Sequence, residues 1–148
     1  MVQKVGVLVP NLFDSQLAYM TLTELNNLSS LYNYDVSVFF EELTPYLMKP
    51  QFGVYNASEI FHFDGNLIAT TLDTAKSMLS TLKPVKKIFY VWSLEYLEKN
   101  SNFIENIGVF QSTDLELIAP SEDYAKDIRN YCGIYPRVVE NFSIKEIL

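Results

Sequence analysis

Short apolar runs alternate along this chain with longer stretches whose apolar residues recur every three or four positions. Such alternation predicts strands interleaved with helices. Val2 to Val9 predicts a first strand, closed by Pro10. Asn11 to Asp14 predicts a loop, after which Asp14 or Ser15 caps a helix running to about Tyr32. Ala18, Leu22, Leu25, Leu28 and Leu31 share one face of that helix. Val36 to Phe40 predicts the second strand. Glu41 to Ala57, with Pro45, Pro50 and Gly53, predicts a loop with room for a short strand. Glu59 to Phe63 predicts the third strand, Asp64-Gly65-Asn66 its terminal turn, and Asn66 to Ala69 the start of a short helix. A helix follows over Leu72 to Leu82, then a central strand over Lys87 to Trp92, then helical turns over Ser93 to Asn100 and Asn102 to Phe110.

The last segment is the most sharply written. Leu115 to Ala119 is a short apolar strand stopped by Pro120. Ser121 has the chemistry of a helix N-cap, and Glu122 and Asp123 fall in the first turn, where negative charge favours the helix dipole. Ala125, Ile128 and Cys132 share a face, Gly133 ends the helix, and Pro136 prevents its resumption. A strand over Arg137 to Phe142 follows. Strands alternating with helices, several of them unbroken apolar runs, predict a parallel sheet covered on both faces. The expected fold is α/β: residues 1–148 as a single Rossmann-like three-layer domain, its mostly parallel sheet having five to six strands.

Ligands of such sheets bind beyond the carboxyl ends of the strands. The predicted elements put polar groups there: Asn11 and Asp14, Glu41 and Glu42, Asp64 and Asn66, Ser93 and Glu95, Ser121 and Glu122. Several chemistries are excluded. No Gly-x-Gly-x-x-Gly follows the first strand, no phosphate-loop motif occurs, and no Gly-x-Ser-x-Gly elbow is present. One histidine and one cysteine make a His/Cys zinc site implausible and rule out an internal disulfide. A formal charge of −7 argues against nucleic acid or an anionic membrane as the main partner. No apolar stretch is long enough to predict a membrane span, and the amino terminus lacks a signal-peptide pattern, so a cytoplasmic location is expected.

Ile118-Ala-Pro-Ser-Glu-Asp-Tyr-Ala125, a helix ending Cys132-Gly-Ile134, and Pro136-Arg-Val-Val-Glu-Asn141 resemble the end of the N-terminal domain of GT-B retaining glycosyltransferases. Glu140-Asn141-Phe142 stands where that family usually has Pro-Asn-Gly. The resemblance extends along the chain as an order of elements and stops where the family's second, nucleotide-sugar-binding domain begins. The family's paired glutamates are missing, since no two Glu stand eight positions apart, and Pro10 to Asp14 replaces its frequent Gly-Gly loop.

The resemblance implies the acceptor-side half of an enzyme that transfers a sugar from a nucleotide-sugar donor. This chain would bind no cofactor of its own; the nucleotide sugar is a co-substrate held by the missing domain. His62, at the expected end of the third strand, becomes the candidate catalytic residue, against the alternative of a sheet histidine satisfied by its neighbours. Trp92 is expected to stack on a sugar ring and Glu95 to bind hydroxyls, the alternatives being a core tryptophan and a solvated glutamate. Asn11, Asp64, Ser121 and Glu122 complete the candidate substrate-binding set. Ser121 serves first as a cap, and Asp64 first as a turn residue. One cleft of this kind requires His62 and Trp92 at the same end of the molecule.

The implied partners are a separately encoded donor domain, or a second copy in a homodimer, and a carbohydrate acceptor. Leu12, Phe13, Trp92, Phe142, Ile144, Ile147 and Leu148 are expected on the edge left bare for that partner. The competing function is a non-catalytic carbohydrate-binding or protein-interaction module on the same scaffold.

Overall fold

The computed structural model describes residues 1–94 and 102–148. The first strand, β1 (Gln3–Val9), alternates its side chains between the two faces of the sheet. Val5, Val7 and Val9 enter one apolar layer and Leu8 the other. Helix α1 (Gln16–Ser29) starts where the Ser15 hydroxyl accepts from the Ala18 amide at 3.0 Å, and buries Leu22, Leu25 and Leu28 against the first layer. Strand β2 (Tyr34–Phe40) then pairs in parallel with β1 along its whole length.

Strand β3 (Gly53–Asn56) pairs with the outer half of β2, and the chain crosses to β4 (Asn66–Ala69) on the other side of β1. Helix α2 (Leu72–Leu79) is set by a capping box in which Thr71 and Thr74 exchange side-chain and backbone hydrogen bonds. Strand β5 (Lys86–Tyr90), helix α3 (Phe103–Phe110), strand β6 (Glu116–Ala119) and helix α4 (Glu122–Cys132) follow. The two-residue strand β7 (Arg137–Val138), a 3₁₀ turn over Glu140–Phe142 and the short helix α5 (Ile144–Ile147) complete the described chain.

All seven strands join one sheet, every pairing is parallel, and the order is β3-β2-β1-β4-β5-β6-β7. The first six of these follow the doubly wound order of Rossmann-like domains, with the direction of winding reversing between β1 and β4. Helices α1 and α5 cover the layer containing Val5 and Tyr90. Helices α2, α3 and α4 cover the layer containing Leu8 and Phe89. The central strands are therefore covered on both faces, while the outer strand β3 leaves Tyr55 and Asn56 exposed.

Three predicted elements differ. The sheet has one strand more than expected, because Gly53–Asn56 pairs with β2. Glu59 to Phe63 is not a strand. The Asn56 side chain accepts from the Ser58 amide at 2.9 Å and starts a 3₁₀ segment, Ala57–His62, which buries only Ile60. Its alternating aromatics mimic a strand, but the segment serves as the crossover from β3 to β4. Asn66 to Ala69 is a strand and not a helix, since the three apolar residues Leu67 to Ala69 at the sheet centre carry no period of their own. The predicted helical turn over Ser93 to Asn100 lies largely outside the described residues.

The expected bare edge is mostly covered. Leu12, Phe142, Ile144 and Ile147 are buried, Leu148 packs against them, and only Phe13 is exposed. Arg137 holds the tail in place, donating to the carbonyls of Glu146 at 2.7 Å and Ile147 at 2.6 Å. Among the described residues no helix is long and apolar enough to cross a membrane.

Candidate ligand groove at the carboxyl edge

Beyond Tyr90 the β5 ladder continues for one more bond, the Val91 amide donating to the Ile118 carbonyl at 2.9 Å. That bond carries Trp92 just past the sheet's carboxyl edge, next to the start of α4. There Ser121 accepts from the Tyr124 amide at 3.2 Å, which fixes the first turn of the helix. Across from both, the chain leaving β7 turns sharply. Asn141 and Phe142 both adopt left-handed backbone, with φ of 59° and 50°. Asparagine tolerates that conformation, whereas for a bulky phenylalanine it is a true outlier. A buried hydroxyl holds it: Tyr90 Oη donates to the Val139 carbonyl at 2.9 Å and accepts from the Phe142 amide at 3.3 Å.

These segments enclose an open groove of about 540 Å³, lined by Gln16 and Met20 of α1, Trp92, Ser121, Tyr124 and Asn141 among others. Its aromatic wall is rigid. The Phe142 ring stands edge-on to Tyr90 at 4.9 Å and to Trp92 at 5.8 Å. Burial pushes the Tyr90 hydroxyl's pKa up, against the backbone hydrogen bond at Phe142, so it stays a neutral donor and acceptor. An indole, hydroxyls and two carboxamides around one open volume are suited to binding a small ring with polar substituents.

Two of the predicted site residues, Trp92 and Ser121, meet in this groove. The others do not. Asn11 turns its carboxamide onto its own loop, accepting from the Phe13 amide at 3.1 Å. Glu122 lies one residue past Ser121 but accepts from the Tyr135 hydroxyl instead. Asp64 precedes β4 and does not end a strand. It pairs with Lys4, at the start of β1, at 2.9 Å, so it lies at the amino edge. Glu95 lies outside the described residues.

His62 is exposed at the end of the 3₁₀ crossover. It lines a separate cavity of about 270 Å³ with Lys4, Asp35 and Asp64, among the starts of β1 and β2. The neighbouring Phe63 packs on the layer of Leu8 and Phe39, whereas Trp92 packs on the opposite layer. His62 and Trp92 therefore occupy opposite ends and opposite faces of the sheet, and one cleft containing both does not exist. The error follows from the misassigned third strand: once Glu59 to Phe63 is a descending crossover, its end points away from the carboxyl edge.

The residues missed are Gln16, Tyr124 and, above all, Asn141. The sequence carried little signal for the last, which the predicted strand over Arg137 to Phe142 absorbed; asparagine is only one of the residues that tolerate a left-handed backbone. Other depressions lie at the amino edge, where the polar groups already satisfy one another. Lys87 pairs with Asp114 at 2.6 Å, and Glu116 with Lys86 and Arg137 at 3.2 and 3.1 Å. Among the described residues no group of three His, Cys, Asp or Glu side chains could hold a metal ion.

No protein-family model, curated protein or solved structure matches this chain.

Proposed function

We propose that this chain is a carbohydrate-binding module on a Rossmann-like scaffold, whose carboxyl-edge groove holds a sugar ring. The observation that carries this reading is the meeting of Trp92, Ser121 and Asn141 around one open groove at the edge where doubly wound sheets bind ligands. An indole supplies an apolar surface for the C–H face of a sugar ring, and the hydroxyl and carboxamide groups match its hydroxyls. Transfer from a nucleotide-sugar donor, as in the glycosyltransferases that the β6–α4 segment resembles, requires a further, nucleotide-sugar-binding domain. His62, at the far end, takes no part. The reading implies a cytoplasmic protein, whose single cysteine stays reduced.

Calorimetric titration with neutral hexose di- and trisaccharides tests the binding half. The wild type is expected to bind at least one series, and Trp92→Ala to weaken it by about tenfold or more. Unchanged affinity in Trp92→Ala, or no binding by any sugar, refutes it. A glycosyltransferase acceptor lobe shares the groove and differs only in turnover, so transfer in the presence of a donor domain separates the two.

A further inference from the structure

Residues 140–148 are fastened to the rest of the protein by side chains and not by a ladder. The Val139 amide makes the last sheet bond, to the Ala119 carbonyl at 2.9 Å. Beyond it, among the described residues, the backbone bonds of the segment are internal: Ser143 to Glu140, Glu146 and Ile147 to Ser143, Leu148 to Ile144. Three side chains from outside supply the polar links. Tyr90 Oη accepts from the Phe142 amide, and Glu24 of α1 accepts from the Ile144 amide at 3.5 Å. Arg137 donates to the carbonyls of Glu146 and Ile147 and is itself held by Glu116 at 3.1 Å.

Packing and strain pull in opposite directions here. Phe142, Ile144 and Ile147 are buried in the layer that holds Val5 and Tyr90, which favours the docked form. Against it, Asn141 and Phe142 are consecutive left-handed residues, and α5 is a four-residue helix without a side-chain cap. A strained segment held by a few side chains opens at a lower free energy than the ladder beside it.

Phe142 belongs both to this segment and to the groove. Its ring stands edge-on to Tyr90 and to Trp92, so release of residues 140–148 takes away one groove wall and bares the indole. Arg137 is not among the groove's lining residues, yet it grips the same segment five residues further on.

We infer that residues 140–148 are a strap that undocks as one unit while the sheet stays folded, and that Arg137, from outside the groove, sets how often the Phe142–Trp92 wall is in place. A ligand that needs that wall binds only the docked form and is thereby linked to the clasp. The strap's motion is a property of the chain itself, with or without a sugar in the groove.

Amide hydrogen exchange, read by NMR on the intact chain, tests this. The Phe142 and Ile147 amides are expected to share one protection factor, on the order of a hundredfold below those of Val7 and Ile68 in the central strands. Arg137→Gln removes a grip on the Glu146 and Ile147 carbonyls only. It is nonetheless expected to lower protection at Phe142 by about tenfold, as at Ile147, with Val7 and Ile68 unmoved. A Phe142 amide as protected as Val7, with Ile147 and Leu148 alone exchanging fast, is local fraying and overturns the inference. So does an Arg137→Gln protein in which Phe142 keeps its protection, or in which all four amides lose it equally. The wild-type pattern decides whether the strap opens as a unit, whether or not the variant folds.

Discussion

The ring of Tyr90 meets that of Phe142 edge-on at 4.9 Å, and its hydroxyl accepts from the Phe142 amide at 3.3 Å. One buried side chain thus both packs and hydrogen-bonds the left-handed turn that forms a wall of the groove. Tyr90→Phe keeps the ring and strands the Val139 carbonyl and the Phe142 amide in an apolar layer. The expected cost is about 1–3 kcal/mol in chemical unfolding. The Asn141 wall loosens with it, so affinity for a bound sugar falls although Tyr90's polar atom is engaged elsewhere.

Gly65 is required by crowding at the start of β4. A Cβ there would lie 2.6 Å from the Lys4 carbonyl oxygen and 2.9 Å from its carbon. Backbone cannot give way as a flexible side-chain tip can. Gly65→Ala is expected to destabilise by about 1–3 kcal/mol, read as a lower urea midpoint, with groove binding unaffected because the site lies at the other end of the sheet.

Acid should weaken the clasp on the carboxy-terminal tail. Burial pushes the Glu116 carboxyl up, but hydrogen bonds and charge from Arg137 and Lys86 outweigh it and hold the group below its ordinary 4.5. A carboxyl depressed in the folded state contributes stability that is present above its unfolded value and lost as pH falls through the folded one. Urea midpoints should therefore drop as pH falls from about 6 to about 3, and Glu116→Gln should flatten part of that drop. Asp64, held down by the hydrogen bond from Lys4, works in the same direction. An unaltered profile in Glu116→Gln would show that the clasp adds nothing.

Cys132 lies on the buried face of α4, and burial pushes its thiol up, so little nucleophilic thiolate is present at neutral pH. Alkylation of the native protein is expected to be slow and to accelerate sharply in denaturant. Fast labelling of the native form would mean that α4 opens readily.

How legible the chain was depends on how local each signal is. The β6–α4 unit was readable because each of its signals is short-range: Pro120 ends a strand, Ser121 caps, and Gly133 adopts φ of 81° past the helix. The α/β class followed from alternation alone. The crossover at Glu59 to Phe63 was not readable, because its alternating aromatics fit a strand and only the Asn56 cap and the bond from the Phe63 amide to the Ile60 carbonyl reveal a 3₁₀ segment. That single error moved His62 and Asp64 to the wrong end of the sheet. Trp92 and Ser121 do line the groove, because each stands two residues beyond the end of a strongly apolar strand. Asn141 was missed because its place in the groove depends on a bond from Tyr90, 51 positions earlier, and no local pattern encodes such a partner.

The most direct measurement is an amide and indole NMR titration of the isotope-labelled chain with a neutral oligosaccharide. Shift changes are expected at the Trp92 indole, the Asn141 side-chain amide, Ser121 and Tyr124, with the signals of His62 and Lys4 unmoved. Changes centred on His62 and Lys4, or none anywhere at saturating sugar, would contradict a sugar site at the carboxyl edge.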